Sequence, residues 1–152
     1  MSNDTTPNID EPVLHVYPGG IKEWLLNGVP HKIGEPAIEY SNGTKKWCIN
    51  GKPHREDGPA VTQPQGRSSW WLHGQLHRED GPAIVHPNGY EEWWVKGKLH
   101  REDGPAKIFP PSLGGEIEWW FNDKKFKTID AYCRAAKIKG DEKTLFLQKW
   151  QS

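Results

Sequence analysis

Five tryptophans constrain this chain more than any other feature. Trp24, Trp47, Trp70 and Trp93 stand 23 residues apart, and Trp119 follows after three inserted residues. Each anchors a pattern. Gly20, Gly43, Gly66, Gly89 and Gly115 lie four residues before it, and Gly28, Gly51, Gly74 and Gly97 lie four residues after it. His31, His54, His77 and His100 come three residues later, followed by Pro36, Pro59, Pro82 and Pro105. Three of the linkers read HisArgGluAspGlyProAla. A period of this length marks one supersecondary unit that cannot bury an apolar face alone and must stack on its neighbours. The chain is therefore an array of repeats.

The stretch from Pro36 to Ile49 shows what each unit does. AlaIleGluTyr and LysLysTrpCysIle flank SerAsnGlyThr, and AsnGly between two alternating runs is a hairpin signal. Asn88 and Gly89 repeat it, while Asn27 and Gly28 or Asn50 and Gly51 mark a second turn beyond the Trp strand. The HisArgGluAspGlyPro segment then returns the chain, because Asp suits turns, Gly permits positive φ and Pro cannot donate to a ladder. The reading is a mainly β, antiparallel meander of about five hairpin repeats over residues 12–126, with about ten strands, two per repeat. Strand alternation places Trp24, Trp47, Trp70, Trp93 and Trp119 on one face with Leu26, Ile49, Leu72, Val95 and Phe121, expected to be the packed face. Leu25, Cys48, Trp71, Trp94 and Trp120 lie on the other, beside Lys46, Ser69, Glu92 and Glu118.

Residues 1–11 read as a disordered N-terminus. Past Asp123 the pattern fails, and residues 127–152 read as a small helical cap. Thr128 is the expected N-cap, Ile129, Tyr132, Cys133 and Ala136 share a helical face, and Gly140 can end the helix. A second element from Glu142 to Trp150 carries Leu145, Phe146 and Leu147. Such a segment would cover the last apolar layer and the free strand edge.

Only 34% of the residues are hydrophobic and the mean hydropathy is −0.85, so nine Trp must supply the burial that aliphatic residues do not. Twenty Lys plus Arg balance twenty Asp plus Glu, which provides no overall field for a polyanion or a charged membrane. There is no signal-like start and no apolar run of membrane length, which leads to the expectation of a cytoplasmic, unexported chain. Cys48 and Cys133 read as free thiols.

The GlyxxxTrpxxxGlyxxHis core at this period resembles the MORN repeat over roughly Pro12 to Asp123. It departs from that family in placing Arg55, Arg78 and Arg101, not Gly, after the His. The HisArgGluAspGlyProAla form is similar to repeats of uncharacterised bacteriophage and giant-virus proteins. The resemblance implies scaffolding or, in some members, lipid headgroup contact, and no catalytic residue.

The corner residues His54, His77, His100, Arg55, Arg78 and Arg101 are candidates for an anion site. The reading preferred to an anion site is that each His hydrogen-bonds a turn backbone while each Arg pairs with the adjacent Glu or Asp of its own or a neighbouring unit. Equivalent His lie about 10 Å apart at two strands per repeat, too far to share one zinc ion. Neither cysteine sits in a motif that would activate it, and Cys133 suits a helix core. Glu91, Glu92, Glu116 and Glu118 read as cross-strand or solubilising groups. The second tryptophan row, Trp71, Trp94 and Trp120, with Lys46 and Lys96 nearby, is either a second buried layer or an exposed partner-binding surface. These residues point to a non-catalytic module without cofactor that binds a protein, with a phage-encoded inhibitor of a host factor as the form the resemblance suggests. The alternative is sequestration of a small nucleotide between Trp and Arg side chains, for which a homo-oligomer interface would serve. Neither reading needs a membrane or generic nucleic acid.

Overall fold

The structure is a computed structural model, and it describes residues 10–150. The expectation of a disordered start falls for the most part on residues 1–9, outside the described residues. The chain folds as antiparallel hairpins in one long meander, closed at its C-terminal end by two helices.

The main sheet has 12 strands and runs in sequence order from Val13–Val16 to Lys124–Phe126, with Val29–Pro30 paired to the second strand off the main path. Three separate two-stranded ribbons lie beside it: Cys48–Ile49 with Lys52–Pro53, Trp71–Leu72 with Gln75–Leu76, and Trp94–Val95 with Lys98–Leu99. The expectation of two strands per repeat therefore needs correction for the central units, where the Trp strand is broken in two. The break falls at Trp47, Trp70 and Trp93. Each Trp donates its backbone N–H to Ala60, Ala83 or Ala106 in the main sheet, at 2.8 Å in every case, and its carbonyl accepts from the His seven residues later, in the ribbon. The first repeat makes the same two bonds at Trp24, with Ala37 and His31, but its strand Lys22–Leu26 runs on unbroken, with Val13–Val16 paired along it. The alanines at this seam, with Ala37, are 0% exposed, which leaves no room for a larger side chain.

The ribbons are stitched to one another. Gly51, Gly74 and Gly97 donate to the carbonyls of Pro30, Pro53 and Leu76, and Arg55 and Arg78 donate to those of Trp71 and Trp94. The two AsnGly turns of a repeat differ in kind. In the main-sheet turn only Gly43 or Gly89 has positive φ, and Asn42 or Asn88 accepts from the residue after the glycine. In the ribbon turn both central residues do: Asn50 and Gly51, His73 and Gly74, Lys96 and Gly97. That is the mirror-image turn that suits a tight hairpin's twist. The last hairpin keeps the geometry with Asn122 and Asp123, and the Asp123 side chain accepts from Leu99 N–H.

Helix α1 spans Ile129–Ala135 and begins at Thr128, whose hydroxyl accepts from Ala131 N–H as an N-cap. It stops at Ala136, with Lys137 in the left-handed region, so Gly140 does not end it. Gly140 opens α2, Gly140–Trp150. Together α1 and α2 cover Trp119, forming a cluster with Tyr132, Cys133 and Ile138. Among the described residues no helix is long and apolar enough to cross a membrane.

Candidate interaction site: the corner grooves

The HisArgGluAspGlyPro corner makes the same contacts in every central repeat. His54, His77 and His100 accept at Nδ1 from the backbone N–H of His73, Lys96 and Asn122, the positive-φ residues of the following turn. Each His thus ties a turn of strained backbone to the repeat before it. His31 plays the part for Asn50. Each Arg lies over the repeat tryptophan, with guanidinium carbons 4.3, 4.1 and 4.0 Å from the ring centroids of Trp47, Trp70 and Trp93. In the first unit Lys32 takes this place over Trp24 at 3.8 Å. The same Arg55, Arg78 and Arg101 donate from Nε to Asp57, Asp80 and Asp103 at 2.6–2.8 Å. That bond holds the three aspartates below the usual carboxylate range.

These contacts decide what the corner offers solvent. The guanidiniums are pinned between a ring and a carboxylate, and their side chains are 13–25% exposed. The carboxylates of Glu56, Asp57, Glu79, Asp80, Glu102 and Asp103 are 74–83% exposed. The arginines weighed as an anion site are instead paired with carboxylates, as the preferred reading has it, and lie behind an acidic rim.

Between successive corners lie open grooves. One, of about 730 Å³, runs between the corners at Arg78–Pro82 and His100–Asp103 over Trp93 and Val95. The next, of about 690 Å³, lies between those at Arg55–Pro59 and His77–Asp80 over Trp70 and Leu72. Trp93 and Val95, like Trp70 and Leu72, share a face as strand alternation expects. That face is not the closed one along the central repeats: Trp47, Trp70 and Trp93 are half-buried, and only Trp119, at 7% exposure, is covered.

Trp71, Trp94 and Trp120 are also half-buried. Their indole N–H groups donate to Ser69, Glu92 and Glu118, two residues back on the same face. Glu92 also accepts from Tyr90, and Glu118 pairs with Lys125. Burial pushes Glu118 up, but its bonds from Lys125 and Trp120 outweigh that and hold it below the usual range. Buried Ile38, Cys48, Ser69 and Ile84 lie on this side of the sheet, so this row stands beside the interior. Lys46 lies near the Tyr40 ring, whereas Lys96 is an exposed turn residue and not a neighbour of Trp94 along a strand. The structure brings together the His and Arg of the corners but does not gather the second Trp row and these lysines into one surface.

Cys48 and Cys133 are both buried, which pushes both thiols up and away from nucleophilic reactivity. Among the described residues no three metal-capable side chains converge. The groove-lining role of Trp70 and Trp93 was missed by reading the sequence, since alternation assigns a face without saying what lies above it. The Arg that stands eight residues after Trp47, Trp70 and Trp93 was the available signal. No protein-family model matches the chain, and no curated protein matches it in sequence.

Proposed function

We propose that this chain is a non-catalytic, MORN-like repeat module that binds a protein partner along its row of corner grooves. One observation carries the reading: the groove position of the fifth unit is filled by the chain's own C-terminal segment, while equivalent positions in the third and fourth units stand open. Trp119 occupies the place of Trp93, and over it lie Tyr132, Phe146 and Trp150 at ring-centroid distances of 4.9, 5.8 and 6.0 Å. Tyr132 donates its hydroxyl to the Arg101 carbonyl of the preceding corner. A polypeptide segment thus fits this repeat position, and aromatic floors in well-formed grooves are what interface anchors seek. The resemblance to viral repeats makes a host factor the partner class.

The nucleotide alternative meets a less suitable surface, since phosphates would have to approach a rim of carboxylates whose neighbouring guanidiniums are already engaged. The test is affinity capture from a bacterial lysate with the full chain and with Leu72→Trp/Val95→Trp, which fills both grooves. The wild type should retain a protein that the variant loses, and a nucleotide panel should leave the melting temperature unchanged. Retention of the same protein by the filled variant would overturn the reading.

A further inference from the structure

The chemistry of the groove's partner can be read from the segment that already fills the last one. Trp150 sits edge-on to Trp119, donates from Nε1 to the Asp103 carbonyl at 3.3 Å, and lies with Arg101 5.5 Å from its ring centroid. It reaches so close to the corner that a Cβ added at Gly104 would stand 2.7 Å from the indole. Pro105 beside it is fully buried, whereas Pro59 and Pro82 of the open units are not. The residue before Trp150 is Lys149, whose charge helps to hold the Asp103 carboxylate down. The occupant is therefore an aromatic ring with a cation next to it, delivered by a helix.

The open grooves present the same parts. Gly81 and Gly58 stand where Gly104 does, and a Cβ there would crowd the guanidinium of Arg78 or Arg55 at 3.0–3.2 Å, so no side chain covers the corner. Glu79, Asp80, Glu102 and Asp103 rim the larger groove, with both of its arginines turned onto tryptophan and aspartate. The mouth is negative and the floor is aromatic. Two main-sheet strands per repeat set neighbouring grooves about 10 Å apart, and seven residues of α-helix rise about 10.5 Å.

We propose that the two open grooves, on the reading that they bind protein, select a basic helical segment carrying two aromatic residues seven positions apart, each beside a lysine or arginine. One ring enters each groove over Trp70 and Trp93, as Trp150 enters over Trp119. The flanking cations meet the exposed corner carboxylates.

The experiment uses the full chain and four fluorescein-labelled helical peptides, read by anisotropy. The first carries two LysTrp pairs with the tryptophans seven apart; the others change Trp to Ala, Lys to Glu, or the spacing to five. The first should bind, and each of the others should bind at least tenfold more weakly. Glu79→Gln/Glu102→Gln should weaken the first peptide about tenfold with an unchanged melting temperature, and Leu72→Trp/Val95→Trp should abolish its binding. Equal binding of the Lys and Glu peptides, or no binding of the first, overturns the partner chemistry. In that case the groove reading still stands if the filled variant loses its lysate partner. Unchanged binding of the first peptide by the filled variant overturns the groove itself. Concentration-dependent self-association that the filled variant lacks, with no peptide bound, would make a second copy of this chain the occupant and would also overturn the proposal.

Discussion

Trp93 and Trp119 hold the same place in their repeats, and truncating each to Ala separates what the repeat contributes from what the cap adds. Trp119 is 7% exposed and touches three aromatic rings of the cap, so its removal leaves a cavity and should cost about 3–5 kcal/mol. Trp93 is half-buried and lines an open groove, with Arg101 as the cation over its ring. About half the area term, plus a cation–π contact of about 0.5–1 kcal/mol, gives roughly 2 kcal/mol. At about 2–4 °C per kcal/mol for a chain of this size, the difference of about 2 kcal/mol separates the two melting temperatures by about 4–8 °C. Thermal and urea unfolding followed by far-ultraviolet circular dichroism would measure it. Equal losses, or a larger loss for Trp93→Ala, would refute the argument that the cap, and not the repeat, closes this face.

The corner histidine should matter through one bond: His77→Ala frees the Lys96 N–H and should cost about 1 kcal/mol. Lys96→Asn should instead raise the midpoint by about 1–3 °C, because Asn tolerates the left-handed backbone that Lys96 adopts. At the seam, Ala83→Leu places a branched side chain where exposure is zero and should destabilise by about 1–3 kcal/mol in the same denaturation assay. Asp57, Asp80 and Asp103 lie below the ordinary carboxylate range in the folded chain, so unfolding takes up protons as the pH falls. Their contribution is complete above the unfolded carboxylate range and is lost as the pH drops through the folded values; Asp103→Asn should flatten the acid limb of a stability-versus-pH curve. Both thiols should stay unreactive toward Ellman's reagent until the chain is unfolded, since both are buried with thiols pushed up.

Local chemistry made much of this fold legible from the residues alone. The 23-residue period, the AsnGly turns and the Thr128 cap each rest on interactions within a few positions of one another, and the hairpins and α1 form where those signals stand. The two-face alternation also survived, because side chains two apart on a strand share a face whatever lies above it. What lies above it was the tertiary structure's decision. Trp93 and Trp119 are equivalent in the repeat, yet one lines an open groove and the other is closed over by helices from later in the chain. Each central Trp is shared between two ladders, through a hydrogen bond to an alanine thirteen residues away and one from a histidine seven residues away, which no run of alternating residues announces. The pairing of the corner Arg with a carboxylate and of the corner His with a turn backbone was legible in the sequence. Only the geometry lays each guanidinium on a ring and leaves the remaining carboxylates facing solvent, so that a motif rich in arginine presents a negative surface.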